Sequence, residues 1–148
     1  MNRTFELSGS RLASCEPERI LGLVADATKW PSWQPEITSI EGPTSMASGD
    51  VARGKARMLG FHVDGHATAV DVGGTYFEQD VIVGVRMGIR YEVKPIEGGT
   101  MITHTLSAQM PRGISGMVLA LFLRRRLRWL QRTALENLVL QSEAGASS

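Results

Sequence analysis

One short segment of the chain carries three side chains of types that bind metal ions. His62, Asp64 and His66 alternate along a predicted strand, so all three point to the same side of it. Two imidazoles and one carboxylate are typical ligands of non-haem iron. On one face of a flat strand, however, successive side chains stand about 7 Å apart, which is too wide for metal bonds of about 2.1 Å. We therefore expect these residues to face solvent and to bind no metal.

Two other polar residues lie on the apolar face of predicted strands. Strand alternation puts Tyr91 on the same face as Ile89, and His104 on the same face as Leu106. A phenol and an imidazole in an apolar site are groups that transfer protons during catalysis. A histidine on an apolar face also commonly has a purely structural role. Tyr91 and His104 are thus the candidate catalytic residues, with a core role as the alternative.

The hydrophobic pattern predicts the elements that position these residues. Alternation over Phe5–Leu12 predicts a first strand, and Pro17 is typical of the first turn of a helix. The short helical segment ends near Trp30-Pro31. Over Ile37–Met110, turns rich in glycine separate about six successive strands with no helix between them. Strands in this arrangement form an antiparallel meander.

The last predicted element is a long helix from about Gly113 to Gln141. One stripe of this helix is apolar and is expected to face the core. It consists of Gly116, Ala120, Leu123, Leu127, Leu130, Ala134 and Leu138. The element order predicts an α+β domain over residues 1–142, in which a curved antiparallel sheet of about seven strands wraps around this helix. Two short helices follow the first strand, and a flexible tail is expected at residues 143–148.

The candidate ligand-binding residues are those expected on the inner face of the sheet and of the helix. Many of them are glycine or alanine, and a wall of small residues either lets the helix approach closely or leaves space for a ligand. Methionines adapt to varied ligands, and tryptophans supply flat apolar walls. The set comprises Trp30, Trp33, Met58, Val63, Gly65, Ala67, Met87, Ile89, Tyr91, His104, Met110, Ala120, Leu123 and Leu127.

One segment of the sequence resembles a known superfamily. The string Cys15-Glu-Pro-Glu-Arg-Ile-Leu-Gly-Leu-Val-Ala-Asp-Ala-Thr-Lys-Trp-Pro-Ser-Trp33 is similar to the amino-terminal signature of START-like (SRPBCC) proteins. This superfamily includes Bet v 1-like pollen allergens, lipid-transfer domains and bacterial polyketide cyclase/dehydrases. The resemblance extends to the element order of nearly the whole chain. It implies a helix-grip fold with a hydrophobic cavity between the sheet and the last helix.

The resemblance leaves two functions open. One is the binding of a small hydrophobic or aromatic molecule, lipid-like or polyketide-like, in the cavity. The other is that of a polyketide aromatase/cyclase, which catalyses aldol cyclisation and dehydration. In such relatives the strand matching Val63–Ala69 carries an inward tryptophan, serine and arginine, whereas this chain has only valine, glycine and alanine there. Trp30 is retained, but only Tyr91 and His104 remain for acid–base chemistry, so we favour binding.

The charge distribution bears on possible partners. The net charge is +1, yet six arginines lie between positions 112 and 132 without any acid among them. On the outer side of the long helix, the predicted partner-binding residues are Arg124, Arg125, Arg128 and Arg132. They are expected to contact an acyl carrier protein or an anionic membrane, or else simply to be solvated. No aromatic stacking surface accompanies these charges, so we expect no binding to nucleic acid.

Other features of the sequence concern compartment, cofactors and assembly. The single Cys15 and the charged amino terminus favour a cytoplasmic protein. The sequence contains neither a phosphate-binding loop nor a Cys/His metal motif, so we expect no cofactor and no metal. The apolar stretch Ile114–Leu123 is broader than one core stripe requires, which indicates a dimer contact or a cavity lid. A monomer and a homodimer therefore both stay open.

Overall fold

The structure, a computed structural model, describes residues 3–58, 60–110 and 114–146. A strand is followed by short helices, six further strands and one long helix. The elements are β1 (Arg3–Ala13), α1 (Pro17–Ala25), a 3-10 helix (Ala27–Lys29), α2 (Trp30–Trp33), β2 (Ile37–Glu41), β3 (Val51–Met58), β4 (Phe61–Val72), β5 (Tyr76–Ile82), β6 (Arg86–Ile96), β7 (Gly99–Met110) and α3 (Ile114–Ala146).

The strands form a single antiparallel sheet of seven strands in the order β1-β7-β6-β5-β4-β3-β2. From β2 to β7 each strand pairs with the next one in the chain, which is the predicted meander. The first strand lies beside the last, so that Leu7 is opposite Leu106. The predicted fold, an α+β helix-grip fold in which a curved sheet wraps around a long helix, is confirmed.

The helix α3 packs on the inner face of the sheet at β1 and β7, and its other contacts include α1 and α2. Its apolar stripe is buried as predicted, at Leu123, Leu127, Leu130, Ala134 and Leu138. Within the described ranges, no helix is both long and apolar enough to cross a bilayer.

The carboxy-terminal end of α3 differs from the sequence prediction. The sequence predicts a flexible tail from residue 143, but the helix continues to Ala146. The reason is that this end is bound to the start of the chain: Ser14 N donates to Glu143 Oε1 at 3.1 Å, and Arg19 Nε donates to Ser142 O at 2.7 Å. The last two residues, 147 and 148, lie outside the described residues.

Candidate functional site

A cavity of about 90 Å³ lies between the inner face of the sheet and α3. Residues of α2, of all strands from β2 to β7 and of α3 line it, and most of these residues are apolar. A mainly apolar wall with a few polar groups is typical of sites that bind small molecules. Eight of the predicted ligand-binding residues line this cavity: Trp30, Gly65, Ala67, Met87, Ile89, Tyr91, His104 and Leu127.

Three other predicted contacts do not border the cavity. Trp33 is fully buried behind the wall, because its ring packs edge-on against Tyr91 with the ring centroids 5.9 Å apart. Val63 is only partly buried and packs against the margin of the core. Leu123 is buried in the core itself, on the part of α3 that precedes the cavity-lining Leu127. The predictions for Met58, Met110 and Ala120 concern side chains outside the described residues.

The small inward residues of β3 and β4 have two different roles. A Cβ atom on Gly54 would overlap the carbonyl oxygen of Ser39, and one on Gly65 would lie 3.1 Å from Val83 Cβ. These two glycines therefore let neighbouring backbone and side chains approach closely. Ala67 is buried and borders the cavity, so its short side chain leaves volume open instead.

The three residues of β4 that are expected to face solvent, His62, Asp64 and His66, do not all do so. His62 and Asp64 are exposed as expected, but His66 is partly buried and borders the cavity. The inward neighbour Gly65 carries no side chain to separate the strand backbone from the cavity, which accounts for this difference. Among the described residues, no group of three or more histidine, cysteine, aspartate or glutamate side chains is placed to hold a metal.

The imidazole of His104 is oriented by Gln131 of α3. The Gln131 Nε2 atom lies 2.8 Å from His104 Nδ1 and 3.2 Å from each of two carbonyl oxygens, those of Leu7 and His104. Carbonyl oxygens only accept, so Gln131 Nε2 is the donor and His104 Nδ1 must accept. The imidazole proton is therefore on Nε2. Burial lowers the pKa of His104 to about 4, so the ring is neutral at physiological pH.

Tyr91 lies beside His104 on the same wall of the cavity. The two residues are opposite each other in the β6–β7 pair, and their rings meet edge-on with centroids 4.7 Å apart. Burial raises the pKa of the Tyr91 hydroxyl, and the nearby Glu36 carboxyl raises it further. In the part of the chain that the structure describes, neither the Tyr91 hydroxyl nor His104 Nε2 has a protein hydrogen-bond partner. The wall thus offers a ligand two neutral donors.

One candidate functional residue, Glu36, is not predicted by the sequence pattern. It lies in the link between α2 and β2, where Arg57 N donates to its backbone carbonyl at 2.7 Å. Its side chain borders the cavity, and the buried Oε2 atom has no hydrogen-bond partner among the described residues. Burial raises the pKa of the Glu36 carboxyl, while a backbone hydrogen bond and the Arg126 guanidinium oppose this rise. Strand alternation offers no signal for a residue in a link.

The predicted partner-binding arginines do not line the cavity. Two of them contact β1: the Arg124 guanidinium lies 5.8 Å from the centre of the Phe5 ring, and Arg128 Nη1 donates to Ser8 O at 3.2 Å. Arg125 and Arg132 are exposed on the outer side of α3. Arg125 and Arg132 are therefore available to a partner, while Arg124 and Arg128 keep their contacts with β1.

We expect the stability of the fold to fall in weak acid because of His104. An unfolded histidine takes up its proton near pH 6.5, whereas folded His104 does so only at about pH 4. The unfolded state therefore binds more protons between these values, and the free energy of unfolding decreases by up to about 3 kcal/mol as pH falls through this interval. Above pH 6.5 the contribution of His104 to the free energy of unfolding has its full value.

This expectation is checked by denaturant unfolding of the wild type and of His104→Gln at several pH values. The difference between the two proteins isolates His104, because all other carboxyls and histidines, Glu36 included, are common to both. The wild type should lose more stability than the variant between pH 6.5 and pH 4. Parallel stability curves would show that His104 is not a buried neutral imidazole.

Comparison with known proteins agrees with this architecture. The family described as polyketide cyclase / dehydrase and lipid transport matches residues 4–143. No protein of curated function matches the sequence. A crystal structure of a protein from Thermus thermophilus is 19% identical, covers 97% of this chain and 100% of its own, and has a TM-score of 0.79.

Two further solved structures share the fold. The Zhui aromatase/cyclase from a Streptomyces strain is 11% identical over 95% of this chain and 94% of its own, with a TM-score of 0.81. A START superfamily protein from Mycobacterium smegmatis is 17% identical over 92% of this chain and 97% of its own, with a TM-score of 0.74. At these identities the structural likeness shows the fold alone. Because the family match extends over nearly all of the chain, the protein belongs to the polyketide cyclase / dehydrase and lipid transport family, within the START-like (SRPBCC) superfamily.

Proposed function

We propose that the protein binds a small, uncharged, mainly apolar molecule, lipid-like or aromatic, in the cavity between the sheet and α3. The observation that supports this most directly is the apolar wall of the cavity, which carries the Tyr91 hydroxyl and the His104 Nε2–H without protein partners among the described residues. Burial of apolar area contributes roughly 25 cal/mol per Å² to affinity. The two donors then orient a ligand that carries a carbonyl or ether oxygen.

A cavity of this kind predicts that ligands raise the melting temperature. A molecule that binds only the folded state adds about 2.7 kcal/mol at a hundredfold excess over its dissociation constant, which corresponds to a shift of several degrees. The measurement is a thermal-shift screen with fatty acids, naphthalenes and aromatic ketones, combined with displacement of a hydrophobic dye. A screen in which no compound shifts the melting temperature or displaces the dye would contradict the proposal.

Two substitutions on the same face of β4 sharpen the test. Ala67 borders the cavity, whereas Ala69 is also buried but does not border it. In Ala67→Phe the ring fills the cavity, so ligand binding should be lost with little change in stability. In Ala69→Phe the ring has no free volume, and overpacking should destabilise the fold by about 1–3 kcal/mol. Equal destabilisation of both variants would mean that the space beside Ala67 does not exist in solution.

A second candidate function is aldol cyclisation and dehydration of a poly-β-ketone, as in polyketide aromatase/cyclases. This chemistry needs donors that stabilise an enolate oxygen and a base that takes up the α-proton. The observation that favours it is Glu36, whose carboxyl has a buried Oε2 atom and a raised pKa, and which borders the same cavity as Tyr91 and His104. In this mechanism the carboxylate removes the α-proton, and the enolate carbon attacks a second carbonyl of the chain. The resulting carboxylic acid returns the proton to the alkoxide, and the hydroxyl then leaves with a second α-hydrogen as water.

The enzymatic candidate makes its own prediction. Tyr91→Phe, His104→Ala and Glu36→Gln should each slow formation of the cyclised aromatic product by roughly 100-fold or more. Product is followed by chromatography and mass spectrometry with a synthetic poly-β-ketone thioester, and circular dichroism checks that each variant is folded. If all three variants form the product at the wild-type rate, the cavity has no catalytic role in cyclisation.

A further inference from the structure

The polar groups of the cavity are not all donors. Glu36 Oε2 on the α2–β2 link and Gln79 Oε1 on β5 are both buried, both residues border the cavity, and neither atom has a partner among the described residues. Buried acceptors without partners are rare in proteins, and each one left unsatisfied is unfavourable. These oxygens therefore point to a ligand that brings hydrogen-bond donors of its own.

The acceptors lie close to the donors Tyr91 and His104. Gln79 is opposite Ile89, two residues from Tyr91, so it is a diagonal neighbour of Tyr91 at about 7–8 Å. The Glu36 carboxyl is near enough to Tyr91 to perturb its hydroxyl. The hydrogen-bond donors and the acceptors are thus close enough together for one small molecule to contact both. A purely apolar ligand would leave all of them unsatisfied.

The environment of Glu36 favours a hydroxyl over an ammonium group as its partner. Arg126 already acts on the carboxyl electrostatically, and burial favours its neutral form. An ion pair with a ligand cation would have to be desolvated within a mainly apolar wall, and the gain from pairing commonly fails to offset that penalty. A neutral hydroxyl or phenol satisfies the carboxyl without this penalty.

We propose that Glu36 is a specificity-determining residue, which accepts a hydrogen bond from a hydroxyl group of a ligand whose carbonyl is bound by Tyr91 and His104. The ligand class is therefore a neutral hydroxylated ketone, such as a phenolic aromatic ketone. This inference rests on the proposed binding function and specifies which molecules the cavity prefers.

The test compares naphthalene, 2-acetylnaphthalene and the monohydroxylated derivatives of 2-acetylnaphthalene by isothermal titration calorimetry. In the wild type, at least one hydroxylated ketone should bind roughly tenfold more tightly than 2-acetylnaphthalene, which is the contribution of one buried hydrogen bond. Glu36→Leu should abolish that ratio. Glu36→Gln, whose amide oxygen still accepts, should retain most of it. In Tyr91→Phe both ketones should weaken alike, so that the ratio is unchanged.

The matched control is Glu41→Leu, which removes an exposed carboxylate of β2 outside the cavity and should leave every affinity unchanged. Two outcomes would overturn the role of Glu36 and leave the binding function intact. One is that Glu36→Leu still prefers the hydroxylated ketone. The other is that the wild type binds 2-acetylnaphthalene but shows no preference for a hydroxylated ketone. If no naphthalene binds while a fatty acid does so in the thermal-shift screen, the role of Glu36 fails and the binding function stands. If neither class of compound binds, both fail.

A second inference rests on an independent observation, the outer face of α3. Leu121, Phe122 and Trp129 are 56%, 60% and 47% exposed there, and they alternate with the exposed Arg125 and Arg132. The Arg126 guanidinium lies 4.6 Å from the centre of the Trp129 ring, so an aromatic side chain accompanies the arginines of this helix. No acidic residue occurs between positions 121 and 135.

We infer that this face, the outer face of α3 from Leu121 to Arg132, docks on an anionic lipid surface. Arginines bind lipid phosphates, and exposed aromatic and leucine side chains enter the boundary between headgroups and acyl chains. A second copy of the chain fits less well, because the two arginine-rich faces would repel each other.

Vesicle sedimentation tests this docking. The protein should bind vesicles of phosphatidylcholine mixed with phosphatidylglycerol and should not bind pure phosphatidylcholine, and added salt should weaken the binding. Phe122→Ser combined with Trp129→Ser, and Arg125→Gln combined with Arg132→Gln, should each reduce binding at least tenfold. Val70→Ser, at a residue 54% exposed on β4, is the matched control without effect.

Four results would overturn the lipid assignment. One is binding that is equal on both kinds of vesicle, and another is binding that none of the α3 variants changes. The third is sedimentation equilibrium showing a dimer that the α3 variants dissociate, which would assign the face to a second copy. Failure to bind either vesicle while binding an acidic carrier protein would likewise replace the lipid with a protein partner.

Discussion

The hydrogen bonds of the Gln131 amide nitrogen hold the long helix in place over one end of the sheet. This nitrogen joins α3 to a carbonyl of β1 and to both the backbone and the imidazole of His104 on β7. In an apolar core such bonds are directional, and a buried polar group left without its bond is unfavourable. The bonds therefore fix the position of the helix along the sheet, which apolar packing alone does not do. The same contact leaves the imidazole proton on Nε2, which has no protein hydrogen-bond partner among the described residues.

α3 lies closest to β1 and β7, whereas the other half of the curved sheet is contacted by the short helices, α1 at β5 and α2 at β2. The inner face of that half carries the small residues Ala52, Gly54, Ala56, Gly65 and Ala67, and these border the cavity. Large side chains at these positions would fill the gap between sheet and helix and convert the cavity into ordinary core. The position of the helix at one end and the small residues at the other together create the cavity.

The sequence allowed the fold and much of one cavity wall to be predicted, because both follow from periodicity. Strand alternation correctly placed Met87, Ile89, Tyr91 and His104 on the wall, and helical periodicity did so for Leu127. It was less informative where tertiary contacts decide the outcome. Trp33 turns into the core behind Tyr91, and the end of α3 is extended by hydrogen bonds to the start of the chain. Glu36 could not be found by periodicity, because it belongs to no regular element.

The pairing of β1 with β7 has a consequence for how the protein folds. The strands β2–β7 join neighbours in sequence, so their hairpins form with short loops and small losses of chain entropy. Phe5 and Ala108, by contrast, pair across nearly the whole chain. Such distant contacts slow folding and form late unless local structure brings them together. Since α3 docks on β1 as well as on β7, the first strand and the last helix join the meander together. During synthesis the cavity therefore closes only after α3, which lines it, has left the ribosome.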